Sequence, residues 1–557
     1  MVNSDVTINP YLDCNNNSTR RINVSGDVKL ILADGATLDV THIETPSVSG
    51  GIHVPAGSSL TIYRQSGGTG VLNASTNSSD EAAIGGGYPG LGWGNAHAGT
   101  ITIYGGTINA IAYDSGIGGT QGSHGGTVNI YGGTVTAQCN MGAAIGGGRS
   151  CTGFTVNIFG GTVNATGGTG AAAIGGGGWG SGGTVTISGG VINATANYST
   201  YLNDYDGYGI GGGTDSTSPT TVNLSWTNTT DRITASSYYT KNGTIRVKDG
   251  QILTDGTNYY SGTLTSEQLT AMATQTLQPF VPTGVTLATV GEDLTATFDG
   301  TSLETVNIPA PISVKRVTLN RTFSADKAST VMLPFDYTCN NNEGGTFYRF
   351  VGVEKENNTW VATMQATGDG ANNAGTLTAN TPYLFMPTGT SITFTIPSEG
   401  VTLNTTGGGN KQTADAGSHW TFKGTYAYKE WIADGANSAE IGSVYGFAGV
   451  QKEGINVGDF VKVKSGAKIR PMCAYLIWND TPNSAPRHRA TEELPQSIVV
   501  KLIGANGTVT GIGTLDTTTG DVTFDSDAWY DMSGRKLDGK PTTKGLYINN
   551  GRKVVIK

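Results

Sequence analysis

Between Ala82 and Asn203 the chain carries one carboxylate, Asp114, and between Lys29 and Lys241 it has no lysine. Arg149 is the arginine of that stretch, with Arg232 just beyond it. Glycosidic hydrolysis of the usual kind needs two neighbouring carboxyl groups, one as acid and one as base or nucleophile. Eliminative cleavage needs a Lys or Arg base beside acidic metal ligands. Neither set is assembled here, so a polysaccharide-active enzyme, lyase or hydrolase, ranks behind binding and behind a structural role.

The other chemistry-bearing residues are few. His97 and His124 stand in equivalent places just ahead of Thr100 and Thr127, and without a carboxylate beside them they read as loop fillers. Asp204, Asp206 and Asp215, with Asn203, form an acidic group whose oxygens suit a hard cation such as calcium. Their spacing does not match an EF-hand loop, and a solvated turn is the plainer reading; no other cofactor is implied. Tyr88, Trp93, Trp179, Tyr205 and Tyr208 are placed in loops beside recurring Ile-Gly-Gly triplets. Flat rings flanked by Asn and Thr suit sugars, whose C–H faces pack on aromatic planes while hydroxyls find hydrogen bonds. The alternative is that these rings seal corners of a thin core. Cys139 and Cys151 flank one Ile-Gly-Gly-Gly segment and either pair or stand as buried thiols; the five cysteines show no metal spacing.

The elements that must position these residues announce themselves by repetition. The clearest unit runs Gly126-Thr-Val-Asn-Ile-Tyr-Gly-Gly-Thr-Val-Thr-Ala137, followed by Ala143-Ala-Ile-Gly-Gly-Gly148. Its start recurs at Thr100, Thr127, Thr155, Thr184 and Thr221, in steps of 27, 28, 29 and 37 residues. Ile84, Ile117, Ile145, Ile174 and Ile210 each open a Gly-Gly pair, in steps of 33, 28, 29 and 36. Periods of this size mean a solenoid or array. Within a unit the apolar residues fall on every second position, the period of a strand with one wet face. Two short strands around Gly132-Gly133 and a third ending at Ile145-Gly-Gly predict one triangular coil of a parallel β-helix. A row of Gly-Gly hairpins forming antiparallel sheets is the alternative.

With 557 residues, 85 of them Gly and only 13% charged, the chain reads as all-β, an N-terminal parallel β-helix followed by β-sandwich domains. A net charge of -9 argues against nucleic acid, whose phosphates call for clustered Lys and Arg. No apolar run reaches membrane-spanning length. The chain opens on polar strand material, so a secretion signal is read as removed or never present. The β-helix is expected over residues 1–282, with a long insertion between Tyr63 and Tyr104. Thr265-Ser-Glu-Gln268 is a capping box that starts a helix near 265–277, with Leu269, Met272 and Leu277 on its apolar side, placed to cover an end of the solenoid. Connector strands over 283–311, a β-sandwich over 312–490 and a small β module over 491–557 complete the expected order. The last module ends in a hairpin turned at Asn550-Gly551.

Asn320-Arg-Thr-Phe323, Val331-Met-Leu-Pro-Phe335, Pro382-Tyr-Leu384, Phe422-Lys-Gly424 and Arg470-Pro-Met-Cys-Ala-Tyr475 resemble a β-sandwich module of Bacteroidetes surface and secreted proteins. Trp529-Tyr-Asp-Met-Ser-Gly-Arg535 and Lys544-Gly-Leu-Tyr-Ile548 are similar to carboxy-terminal β modules of the same group, some of which act as sorting signals. The Gly-rich half resembles β-helical repeats of bacterial surface proteins of adhesin or carbohydrate-binding type. The resemblance implies an extracellular or cell-surface address and brings no catalytic residue.

The expectation is therefore a secreted or displayed solenoid for adhesion or glycan binding, with a glycan or host surface ligand as partner. A purely structural stalk is the second reading. A cation held at Asp204, Asp206 and Asp215 predicts a melting temperature that falls by several degrees on adding EGTA; a solvated turn predicts none.

Overall fold

The computed structural model describes residues 6–7, 22–41, 51–87, 97–197, 207–324, 327–339, 344–368, 375–406, 411–413, 418–449, 458–479 and 494–505. Toward the C-terminus it describes 513–515, 522–524, 529–530, 536–537, 540–549 and 552–556. Two compact units are present, Met1–Val281 and Pro282–Lys557. Among the described residues no helix is long and apolar enough to cross a membrane.

In the first unit each repeat folds into one coil of three short strands, and equivalent strands of successive coils pair in parallel. The first face stacks Thr100–Ile103, Thr127–Ile130, Thr155–Ile158, Thr184–Ile187 and Thr221–Leu224. The second stacks Thr107–Ala112, Thr134–Cys139, Thr162–Thr166, Val191–Thr195 and Arg232–Ala235. The third stacks Ser115–Gly118, Ile145–Gly146, Ala172–Gly175 and Tyr208–Gly211. This is the parallel β-helix that the repeat predicts, and the parallel register excludes the hairpin alternative.

Register makes like residues meet. Val128, Val156, Val185 and Val222 form one buried column, and Ile130, Ile158, Ile187 and Leu224 another. Ile117, Ile145, Ile174 and Ile210 line the third face from within. Outward positions form polar ladders: the Asn109 amide donates to Asn73, Asn157 to Asn129 and Asn193 to Asn164, each at 2.9 Å. Such ladders satisfy polar groups that the close strand spacing would otherwise crowd.

The glycine after each third-face Ile is required twice over. Gly118, Gly146, Gly175 and Gly211 adopt φ of 132, 132, 140 and 133°, which L side chains rarely reach. A Cβ on Gly146 would also stand 2.1 Å from the Gly175 carbonyl oxygen of the next coil.

The C-terminal end of the solenoid is closed. The helix spans Ser266–Met272, with Thr265 Oγ1 accepting from the Gln268 N–H and Gln268 Oε1 accepting from the Thr265 N–H. It stops at Met272 rather than reaching Leu277, because Leu277 belongs to the strand Thr276–Phe280. That strand runs antiparallel to Arg232–Ala235 and ends the parallel stacking of the second face.

The second unit is built of mixed sheets. Thr286–Val290 and Asp293–Asp299 pair with each other and with Arg316–Asn320, so the expected connector is an integral part of this unit. The largest sheet contains Gly345–Glu356, Thr359–Ala366, Pro382–Pro387, Trp420–Thr425 and Cys473–Trp478. Phe350, Met364, Phe422, Tyr445 and Leu476 share its core. Ser497–Ile503 inserts in this sheet between Thr359–Ala366 and Phe460–Lys462, so the boundary expected at 490/491 falls inside it. Near the end, Gly545–Asn549 and Arg552–Ile556 pair antiparallel with Asn549 opposite Arg552.

Replacing Gly146 by Ala is expected to cost at least about 3 kcal/mol through strained backbone and collision with the next coil. Gly153, at φ 61° with nothing within 4 Å of its Cβ direction, is the control. Its change to Ala should cost about 1 kcal/mol, both measured by urea unfolding.

Candidate functional site

The turn that leaves the third face is repeated on four coils, and one residue at its tip adopts the left-handed conformation each time. Gly122, Ser150, Trp179 and Asp215 have φ of 65, 53, 57 and 55°. Their N–H groups link the coils: Gly122 donates to Arg149 O, Ser150 to Gly178 O and Trp179 to Thr214 O, at 2.8–2.9 Å. Gly is at ease in this conformation, and Ser and Asp are small polar residues that local hydrogen bonds support there. A tryptophan is not, and its backbone is strained by about 1–2 kcal/mol. Trp179 is half-buried, and the Arg149 guanidinium of the preceding coil lies 5.0 Å from its ring centroid.

Arg149 is held from beneath by Asp114. The Asp114 side chain is wholly buried, and its Oδ1 accepts the Arg149 N–H at 3.1 Å while Oδ2 has no partner. Glycines make room for it, since a Cβ on Gly148 would lie 2.4 Å from Oδ2. Burial pushes the Asp114 carboxyl up to about 7, against the pull of the Arg149 and Gln121 backbone N–H groups, and nearby Asp80 adds to the rise. Glu81, also buried, precedes Ala82, the register partner of Ser115, so it occupies the position equivalent to Asp114 one coil away. A carboxylate count that starts at Ala82 misses it by one residue. Both acids are sealed from solvent, out of reach of a polymer.

Of the remaining expected site residues, Tyr208 and Asp215 are described. Tyr208 is in the strand Tyr208–Gly211 rather than a loop, and it stacks on Tyr239 with centroids 4.2 Å apart. Asp215 is an exposed turn tip, and the described residues contain no group of three His, Cys, Asp or Glu able to hold a metal. Tyr88, Trp93, Asn203, Asp204, Tyr205 and Asp206 lie outside the described residues. Cys139 and Cys151 are free and buried rather than paired. The Cys139 thiol instead donates to Gly142 O at 2.8 Å, a bond available within its own turn.

His97 and His124 do meet across adjacent coils, with ring centroids 4.4 Å apart. His97 Nδ1 accepts the His124 backbone N–H at 2.9 Å, so its proton is on Nε2. His124 Nδ1 lies 2.7 Å from Thr152 O and 2.8 Å from Thr152 Oγ1. Both Nδ1 atoms are thus engaged within the protein. Burial, then the charge of His124, lowers the His97 pKa.

Reading from the sequence missed a ladder at another corner. Tyr63, Tyr104, Tyr131 and Phe159 stack with centroids 5.1, 4.8 and 4.5 Å apart and planes within 13°. The signal was present in the recurring Ile-Tyr-Gly-Gly and Ile-Phe-Gly-Gly tetrapeptides. Tyr104, Tyr131 and Phe159 are 44, 43 and 39% exposed, yet each inner ring has both faces covered by its neighbours.

Because the folded state holds the Asp114 proton more tightly than the unfolded chain, this residue makes stability fall as pH rises from about 4 and level off above about 7. Within that window the slope approaches about 1.4 kcal/mol per pH unit. Asp114→Asn is expected to flatten it, read as the wild-type minus variant difference in urea unfolding from pH 4 to 8.

Residues 101–123, 128–149, 156–178 and 185–214 match the family model described as a beta helix repeat. No curated protein and no solved structure matches the chain. The match and the parallel register support a parallel β-helix over this part of the chain.

Proposed function

We propose that the protein is a surface-displayed or secreted adhesion protein whose solenoid binds glycans through the turns that leave its third face. The observation that carries this reading is Trp179. Its left-handed backbone is a standing cost at a tip where Gly, Ser and Asp serve the other coils, and strain retained at one position points to function. The indole beside the Arg149 guanidinium offers an apolar face and hydrogen-bond donors together, the combination that a sugar's C–H face and hydroxyl rim demand. The Arg149 backbone N–H is bonded to the buried Asp114, which fixes the turn that carries this arginine. The address rests on the resemblance of the second unit's motifs to Bacteroidetes surface and secreted modules. Calcium at Asp204, Asp206 and Asp215 is part of the proposal, Asp215 being the tip of one of these turns.

A structural stalk is the second reading, favoured by ladders that satisfy themselves. Paired asparagine amides and face-to-face rings serve the rod and leave little for a ligand. An enzyme ranks third, because Asp114 is sealed inside the coil.

Trp179→Gly separates these readings. Relief of about 1–2 kcal/mol of backbone strain outweighs or balances the lost ring–guanidinium contact, worth about 0.5–1 kcal/mol at a surface. The melting temperature of the full chain should therefore hold or rise, while retention on a glycan array falls at least about tenfold, about 1.4 kcal/mol. Unchanged retention, or a variant that melts several degrees lower, would show Trp179 to be a structural plug. Turnover of any arrayed polysaccharide would restore the enzyme.

A further inference from the structure

The corner between the third face and the first carries an open groove, two coils short of the Trp179 turn. The chain rounds this corner with residues 24–26 between Ile22–Asn23 and Asp27–Leu32, and with 54–58 between Ile52–His53 and Ser59–Arg64. Further along the rod the same corner takes 119–126. Across the short turns lies an open-sided cavity of about 370 Å³, walled by Asp27, Ser59, Thr100 and Thr127. That volume falls within the range of small-molecule sites.

The base of the groove is bare backbone. Ala98 and Gly99 are buried there, with Gly126 beside them. A Cβ on Gly99 would stand 2.2 Å from Ser58 O, and one on Gly126 would stand 2.4 Å from Gly99 O. Neither position can carry a side chain, so a ligand meets glycine Cα atoms and the Ala98 methyl.

The wall is one column of oxygens. Register places Asp27 beside Ser59, Ser59 beside Thr100 and Thr100 beside Thr127. Three strand spacings, about 14 Å, separate its two ends. Ser59 Oγ donates to Asp27 Oδ1 at 2.6 Å, which leaves Oδ2 of the exposed Asp27 open to a donor. The Thr100 and Thr127 hydroxyls form no hydrogen bond among the described residues. Their main-chain N–H groups are spent on Ser58 O and Gly99 O, so an extended peptide finds no free strand edge here.

We propose that this groove binds a short β-linked oligosaccharide of amino sugars with free ammonium groups, lying along the rod. A pyranose unit of an extended chain advances by about one strand spacing, about 4.8 Å, so successive units meet successive hydroxyls of the column. Their C–H edges lie on the glycine base. Asp27 is the one charged side chain among the described residues that line the groove, and it fixes the sign of the ligand's charge. A carboxylate bonds an ammonium more strongly than a neutral donor, and it repels an acidic sugar. The saccharide class rests on the glycan-binding reading above; the ammonium rests on Asp27, and no residue of the groove belongs to the Trp179 turn.

The test is calorimetric titration of the full chain, at low salt, with the β-1,4-linked glucosamine disaccharide and with its N-acetylated form. Wild type should bind the amino form about tenfold more tightly, the difference between a charged and a neutral hydrogen bond. Asp27→Asn, an isosteric change at an exposed site, should erase that preference. Thr100→Val combined with Thr127→Val keeps β-branched residues in the strands and should weaken both sugars at least about tenfold. Thr184→Val, on the same outward column two coils beyond Thr127, is the control and should change nothing. Equal affinity for the two sugars, or a preference that survives Asp27→Asn, overturns the proposal. Binding that the double threonine variant leaves unmoved overturns the groove and places the sugar elsewhere on the chain, with the glycan reading intact. Absence of binding by wild type also overturns the groove, and glycan-array retention then tests the Trp179 reading on its own.

Discussion

The solenoid depends on how closely the backbone of one coil approaches the next along the Ile-Gly column of the third face. There a side chain as small as a methyl group would stand about 2 Å from a carbonyl oxygen. Strands elsewhere hold their ordinary separation because side chains point in or out of the coil. On the third face the strands are only two to four residues long, and the chain must turn sharply on either side of them. Glycine meets both demands, so the column persists from Gly85 to Gly211 while the loops around it vary.

That constraint also explains the chemical quiet of the rod. A coil whose interior is filled by Val, Ile and Ala columns has little room for charge, and the parallel register sets outward Thr and Asn against Thr and Asn. Like charges stacked at one strand spacing repel, so such positions go to Thr, Asn and aromatic rings, which stack without penalty. Chemistry is pushed to the corners, where an insertion or a substitution on one coil breaks the identity. Trp179 at one corner, and Ser188 beside the swollen 225–231 loop at another, are such breaks. Asp114 and Glu81 are interior exceptions, and Asp114 is accommodated by glycines on the neighbouring turn and by backbone N–H donors.

Much of this was legible in the residues. The unit period, the alternation of buried Val and Ile with Thr and Asn, and the Thr265–Gln268 capping box are local signals, and local geometry follows them. The helix fell short of Leu277 because an antiparallel partner, Ile233, claimed that residue for a strand. Cys139 and Cys151 are near in sequence, but each thiol is buried in its own turn. Tyr208 lies next to an Ile-Gly-Gly triplet as the aromatic pattern required, yet pairing with Ala172 draws it into a strand.

By itself the sequence determined the solenoid, because a repeat that alternates at every second residue and turns on glycine has one economical way to bury its apolar face. It also determined how few acids and bases the repeats carry. Only the tertiary structure decided which residues become neighbours across coils: Arg149 with Trp179, His97 with His124, Glu81 level with Asp114, and Ser188 next in register after Phe159. Those meetings depend on register between strands some 28 residues apart. A single insertion, such as the loop after Leu224, changes what each corner presents without altering the local pattern of any strand.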